Sequence, residues 1–315
     1  MTIATIICEF NPFSKGHKYL IDNVRRDLNP DAVVCIMSGN FVQRGQMACM
    51  SKWDRAKIAV ENGADLVIQM PCCVSLSSAE YFAKGAVDIA KGINSDYLCF
   101  GSELGDLSEL KKLSANGIHT LEEGNNILAC EYLRCLGRSI KPWTIKINKK
   151  LGHASDYRSK HKNIYENNLY LLEKYCVVSK TAFELSKVPE VSEGLENRLK
   201  TAVIKAENHD DFVKAIKSKR YNYTRISRIL LQVVLGISSS KVSRPYGLVL
   251  AFNQNGQKVI KNSKIKLYSN LKPSDLKENK HLLEDVRADD IYSVLTEKTI
   301  YEYSDFVCKP SKSNI

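Results

Sequence analysis

The stretch "IICEFNPFSKGHKYL", residues 6–20, begins as an apolar strand and ends as an amphipathic helix, with polar and small residues at the joint. A strand that is apolar on both faces belongs inside a parallel sheet covered by helices on both sides. Where it turns into a helix N-terminus, unpaired backbone N–H groups and the helix dipole together favour a phosphate. Gly16 lets the backbone approach such a group closely, and Lys15 adds positive charge. His17, in the first helical turn, is placed to donate to a phosphoryl oxygen and to stabilise charge that builds as pyrophosphate leaves. Pro12 stiffens the entering chain, and Asn11 can satisfy backbone groups of the turn. The same residues also suit an ordinary strand-to-helix turn with a surface histidine, and these few positions leave both readings open.

Working outward, the first 105 residues alternate strand and helix signals. "TIATIICEF", "AVVCIMSG", "ADLVIQMP" and "SDYLCFGSE" read as buried strands, separated by helices over 16–26, 51–62 and 78–92. This pattern predicts an α/β fold, a doubly wound parallel sheet of nucleotidyltransferase-like, Rossmann type. Ligands in such sheets bind beyond the carboxyl ends of the strands, which here read Asn11-Pro12-Phe13, Ser38-Gly39-Asn40, Met70-Pro71 and Gly101-Ser102-Glu103. After about residue 150 helical signals take over, first in "NIYENNLYLLEKY". The clearest is "TRISRILLQVVLG", with Thr224 as cap, Ile226, Ile229, Leu230, Val233 and Val234 on one face, and Gly236 as its end. "RPYGLVLAFNQNGQKVIKN" reads as a strand, a turn and a helix. The expected division is an ATP-binding domain over 1–150 and a mainly helical, basic domain over 151–315.

Composition narrows the function classes. At 315 residues, with 44% hydrophobic and 26% charged, the chain fits neither disorder nor a membrane class. No apolar segment approaches the ~20 residues that span a bilayer. The run from Ile3 to Cys8 is too short for the core of a signal peptide, so a cytoplasmic location is expected. Several of the ten cysteines lie in apolar strands, as reduced core residues do, and no CxxC spacing suggests a metal. Of the net charge of +11, the segment from Lys141 to Leu230 holds +9, with 19 Lys and Arg against 10 Asp and Glu. That is the footprint of a polyanion partner, though a solvated basic surface would look the same. Lys217, Lys219 and Arg220 lead into Arg225 and Arg228, which are expected on an exposed helix face. Tyr221 and Tyr223 are interleaved as stacking partners for an unpaired base.

"NPFSKGH" resembles the phosphate-binding motif H/T-x-G-H of the nucleotidyltransferase-like superfamily. In succession, "CEFNPFSKGHKY", "MSGNFVQRG", "NGADLVIQMP", "SSAEYFAKGAV" and "FGSE" resemble the tRNA(Met) cytidine acetate ligase family. The likeness continues through "NNILACEYL", "IKPWTIK", "YTRISRILLQ", "RPYGLVLAFNQNGQ" and "ADDIYSVL". The resemblance implies activation of acetate by ATP as acetyl-adenylate, then acetyl transfer to the wobble cytidine of elongator methionine tRNA. The implied ATP cradle comprises Ile6, Ile7, Cys8 and Glu9, then Phe10, Asn11, Pro12 and Phe13. It continues through Ser14, Lys15, Gly16, His17, Lys18 and Tyr19, with Gly101, Asn126 and Arg158 as further contacts. Ser14, Lys15 and His17 would carry the catalysis. No metal ligand follows from the motif, but magnesium normally accompanies ATP phosphates.

Several positions depart from the family pattern. Ser14 stands where the first histidine is expected, and Ile147 where "IKR" would place an arginine. The family segment Ser-Ala-Thr-x-Ile-Arg survives only as Ala154-Ser155-Asp156-Tyr157-Arg158, and the connection between "FGSE" and "NNIL" is short. "ISSSKVSR", at 237–244, resembles a second phosphate motif better, but chain order favours Arg158. Two other functions stay in view: a nucleotidyltransferase that adenylates a small cofactor precursor, and an RNA-binding protein on a degenerate scaffold.

Overall fold

The computed structural model describes residues 1–116, 121, 123–151, 154, 158, 165–300 and 302–313. In the first half the chain runs β1 (Ile3–Cys8), α1 (Lys15–Leu28), β2 (Ala32–Met37) and a small hairpin of β3 (Phe41–Val42) and β4 (Gln46–Met47). There follow α2 (Lys52–Glu61), β5 (Leu66–Gln69), the single turn α3 (Cys72–Ser75), α4 (Ala79–Gly92), β6 (Tyr97–Ser102), α5 (Leu107–Asn116), α6 (Gly124–Leu136) and β7 (Lys141–Lys146). The later part holds α7 (Glu166–Ser179), α8 (Ala182–Leu185), α9 (Leu195–Lys205), α10 (His209–Ile216) and α11 (Tyr223–Leu235). It then returns to mixed structure: β8 (Tyr246–Phe252), α12 (Gln254–Lys261), β9 (Lys266–Tyr268), α13 (Pro273–Glu278), α14 (Lys280–Leu295) and β10 (Ser311–Lys312). Of the helix read from "NIYENNLYLLEKY", Asn163 and Ile164 lie outside the described residues.

The sheet order is β10-β8-β5-β2-β1-β6-β7, with β9 also pairing β8. From β5 to β7 all neighbours are parallel. The chain winds outward from β1 to β5 and then crosses back to β6, so the switch point lies between the carboxyl ends of β1 and β6. β2 shows why both faces are covered. Val34 and Ile36 pack into the layer of Phe82, Ala86 and Ile89 from α4. Val33, Cys35 and Met37 pack into the opposite layer with Ile21 and Val24 of α1 and Ala56 and Ala59 of α2. The alternation is the two-residue period of a strand, with both faces apolar.

The structure adds two features to the expected sheet. β8 pairs β5 antiparallel, so the sheet is mixed rather than wholly parallel. β8, β9 and β10 all come from beyond residue 150, so the sheet crosses the expected boundary, and the helical part proper is α7 to α11. β7 gave no strand signal because it lies at the sheet edge, half-exposed and containing Pro142, which an edge tolerates. All ten cysteines are free, with Cys35, Cys72 and Cys99 buried as expected.

Candidate active site

At the switch point β1 leads through a tight turn into α1. Phe10 is buried and adopts φ of +47°, a conformation that costs a bulky residue of order 1–3 kcal/mol and is retained where the surroundings dictate it. Ser14 is the N-cap of α1, in extended conformation. Its backbone N–H donates to Nδ1 of His17 at 3.0 Å, and its Oγ lies 3.1 Å from the same nitrogen. The neutral ring therefore carries its proton on Nε2, leaving that N–H as a donor at the helix N-terminus. Phe10 meets the ring edge-on and Phe13 lies tilted against it, with centroids 5.0 and 5.7 Å away. Burial, reinforced by the charge of Arg158, lowers the His17 pKa to about 4. At neutral pH His17 is thus an uncharged donor, and the nearby positive charge comes from Lys15, which is exposed, and from Arg158.

Asn11 was expected to satisfy its own turn, but its Oδ1 accepts the backbone N–H of Cys49 at 2.8 Å, tying the turn to the loop before α2. The Arg158 guanidinium donates to the Asn11 carbonyl, which brings the two ends of the expected cradle together. Glu9 lies 3.7 Å from Arg44. Among the described residues, Asn11 Nδ2 and Ser38 Oγ are buried without a hydrogen-bond partner. Such groups are uncommon, and here they stand at the ends of adjacent strands where a ligand would complete them. Ser155, Asp156 and Tyr157 lie outside the described residues.

Gly101 lies on β6 beside β7, where an added Cβ would come within 3.1 Å of Ile147. The apolar side chain at the position expected to hold arginine thus closes over the glycine. Asn126 has a different setting from the one anticipated. It is buried, and its Oδ1 accepts from the N–H groups of Glu103 and Leu104 at 3.1 and 3.3 Å. Its amide supports the loop after Gly101.

Sequence reasoning missed Arg55. Fully buried on α2, it donates to the carbonyls of Glu9, Ser38, Gly39 and Met50 at 2.5, 3.3, 2.6 and 3.1 Å. Its guanidinium thereby fastens the ends of β1 and β2 together, and burial lowers its pKa. A charged residue in "SKWDRAK" reads as a solvated helix face, and no local signal reveals four carbonyl partners.

The basic surface is rearranged. Lys217, Lys219 and Arg220 are exposed, Arg220 pairing Glu193 at 2.5 Å. Arg228, expected on an exposed face, is buried, lying 3.6 Å from Glu190. From Ile226 to Leu235 α11 is buried on every side by other elements, including the β3–β4 hairpin: a Cβ on Gly45 would come within 2.6 Å of the Arg228 backbone. Arg225 also lies 3.6 Å from Glu190 and stacks over the Tyr221 ring at 4.5 Å. Tyr221 is itself buried, its hydroxyl donating to the Ser192 carbonyl, and Tyr223 is half-buried, its hydroxyl donating to Asp210. The cap of α11 is Asn222 rather than Thr224, and Gly236 ends it at φ of +64°. Of the segment 237–244, Ser240, Lys241 and Val242 line a cavity together with Tyr81 and Lys84.

A family model described as HIGH Nucleotidyl Transferase matches residues 1–119 and 147–305. The tRNA(Met) cytidine acetate ligase of Clostridium perfringens is 33% identical over 405 aligned positions, covering 98% of this chain and 99% of that one. Its counterpart in Clostridium novyi is 32% identical over 400 positions, covering 98% and 99%. In structure, Thermotoga maritima TmcAL bound with alpha-thio ATP superposes with a TM-score of 0.89, at 22% identity and full coverage of both chains.

Proposed function

Because the chain belongs to the tRNA(Met) cytidine acetate ligase family, we propose that it activates acetate with ATP and acetylates the wobble cytidine of elongator methionine tRNA, giving N(4)-acetylcytidine. An acetate oxygen attacks the α-phosphorus, forming acetyl-adenylate as pyrophosphate leaves. The exocyclic amine of cytidine then attacks the acetyl carbonyl, AMP departs, and the amine gives up a proton. Residues Ile6 to Tyr19 would cradle ATP with Gly101 and Arg158; that the Thermotoga maritima relative was solved with alpha-thio ATP supports ATP as the ligand. Lys15 and Arg158 supply positive charge, and magnesium would ride on the phosphates, since Glu9 is already beside Arg44.

The observation that carries this reading is the His17 ring: its Nδ1 is occupied by the Ser14 N–H, and its Nε2–H remains available beside Arg158 at a helix N-terminus. Ser14 thus holds the donor in place without supplying charge itself. Lys217, Lys219 and Arg220 are the proposed tRNA contacts, with Arg225 at their edge. Acetate-dependent ATP–pyrophosphate exchange tests the first step, and mass spectrometry of tRNA nucleosides tests the second. Exchange indifferent to acetate would favour adenylation of a cofactor precursor; no exchange would leave an RNA-binding scaffold.

A further inference from the structure

No sequence spacing announces a metal site, yet folding brings together Cys73, His281 and Glu284. Cys73 follows β5 in the turn α3, 208 positions from His281. His281 and Glu284 lie three residues apart in the first turns of α14 and so share one face. Cys73 Sγ is 3.7 Å from His281 Nδ1, and Glu284 Oε2 is 3.0 Å from that nitrogen. One donor atom from each residue lies within 4.8 Å of the other two, and all three residues are buried. A tetrahedral zinc ion, with bonds of about 2.3 Å to sulfur and about 2.0 Å to nitrogen, would set neighbouring ligands about 3.3–3.6 Å apart. The observed spacings straddle that range.

We propose that these three side chains bind a zinc ion that joins α3 to α14. Thiolate, imidazole and carboxylate favour zinc over the hard cations magnesium and calcium. Binding releases the Cys73 thiol proton to solvent, and the resulting thiolate and the Glu284 carboxylate together neutralise the dication, as a buried site requires. The remaining oxygen of Glu284 accepts from the Ser238 backbone N–H and Oγ at 3.1 and 3.0 Å, which orients the carboxylate. Asn279 accepts the His281 N–H at 3.1 Å, fixing the helix start. Three protein ligands leave the fourth tetrahedral position to water.

The test incubates full-length, tag-free protein with zinc chloride, removes unbound metal by gel filtration and measures zinc by mass spectrometry. The wild type should retain one zinc per chain, Cys72→Ser should retain it equally, and Cys73→Ser and Glu284→Gln should lose it. Cobalt loading should give a thiolate-to-metal absorption band that Cys73→Ser abolishes. Glu284→Gln preserves side-chain shape, so it carries the test if Cys73→Ser fails to fold. A wild type without zinc, or zinc retained equally by Glu284→Gln and any folded Cys73→Ser protein, overturns the site.

Discussion

His17 combines an unprotonated Nδ1 with a pKa lowered to about 4. Loss of one such donor typically lowers the rate by about 10²- to 10³-fold, so His17→Ala should slow acetate-dependent exchange by that order in a folded protein. The sign of the pH effect follows from the lowered value: the unfolded chain binds this proton near pH 6.5, the native one only near 4, so acid favours unfolding as pH falls through that window. Between pH 6 and 8 the exchange rate should not follow an imidazole titration in the free enzyme. The negative charge of ATP should raise the His17 pKa, so that binding near pH 5 takes up protons, readable by calorimetry in buffers of different ionisation heat. Arg55→Met should destabilise the protein by about 3 kcal/mol or more, measured by urea unfolding, because four carbonyls lose a charged donor.

At the scale of the element, α11 was legible as a helix with a glycine end, but its exposure was not. The apolar positions Ile226, Ile229, Leu230 and Val233 define one buried face, and sequence gives no sign that α7, α14 and the β3–β4 hairpin cover the others. Arg228→Ala should accordingly lower stability by leaving the half-buried Glu190 with a weaker partner, whatever it does to tRNA. Lys217→Ala with Lys219→Ala should leave melting unchanged, weaken tRNA binding and make the slope of log affinity against log salt shallower by about one to two units. Equal affinity and slope in that double variant would place the tRNA elsewhere. Removing the Asn222 cap by Asn222→Ala should cost about 1 kcal/mol in thermal unfolding.

Across the whole molecule, the two ends of the chain meet at Lys52. Its buried ammonium lies 2.5 Å from both Asp289 on α14 and Asp305, and Asn40 donates to Asp289 at 2.9 Å. Burial by itself lowers the Lys52 pKa, but attraction to the two carboxylates outweighs it and raises the value. Trp53 adds a hydrogen bond to the Tyr303 carbonyl at 3.1 Å. Lys52→Met would leave two buried carboxylates without their cation, and a loss of about 3–5 kcal/mol is expected by denaturant titration. A loss within experimental error would show that the two carboxylates share a proton instead.

The sequence by itself determined the strand–helix alternation, the tight turn from β1 into α1 and the family, because these rest on local periodicity and contiguous motifs. Chain order singled out Arg158, and the structure brings that residue to the Asn11 carbonyl. Only the tertiary structure decided that β8 pairs antiparallel, that Arg228 is buried, that Arg55 binds carbonyls, and that Cys73 meets His281 and Glu284. The physical reason is shared by all four. Burial and polar pairing depend on which distant segments a residue packs against, and hydrophobic spacing along one element says which face is apolar but not what encloses the remaining faces.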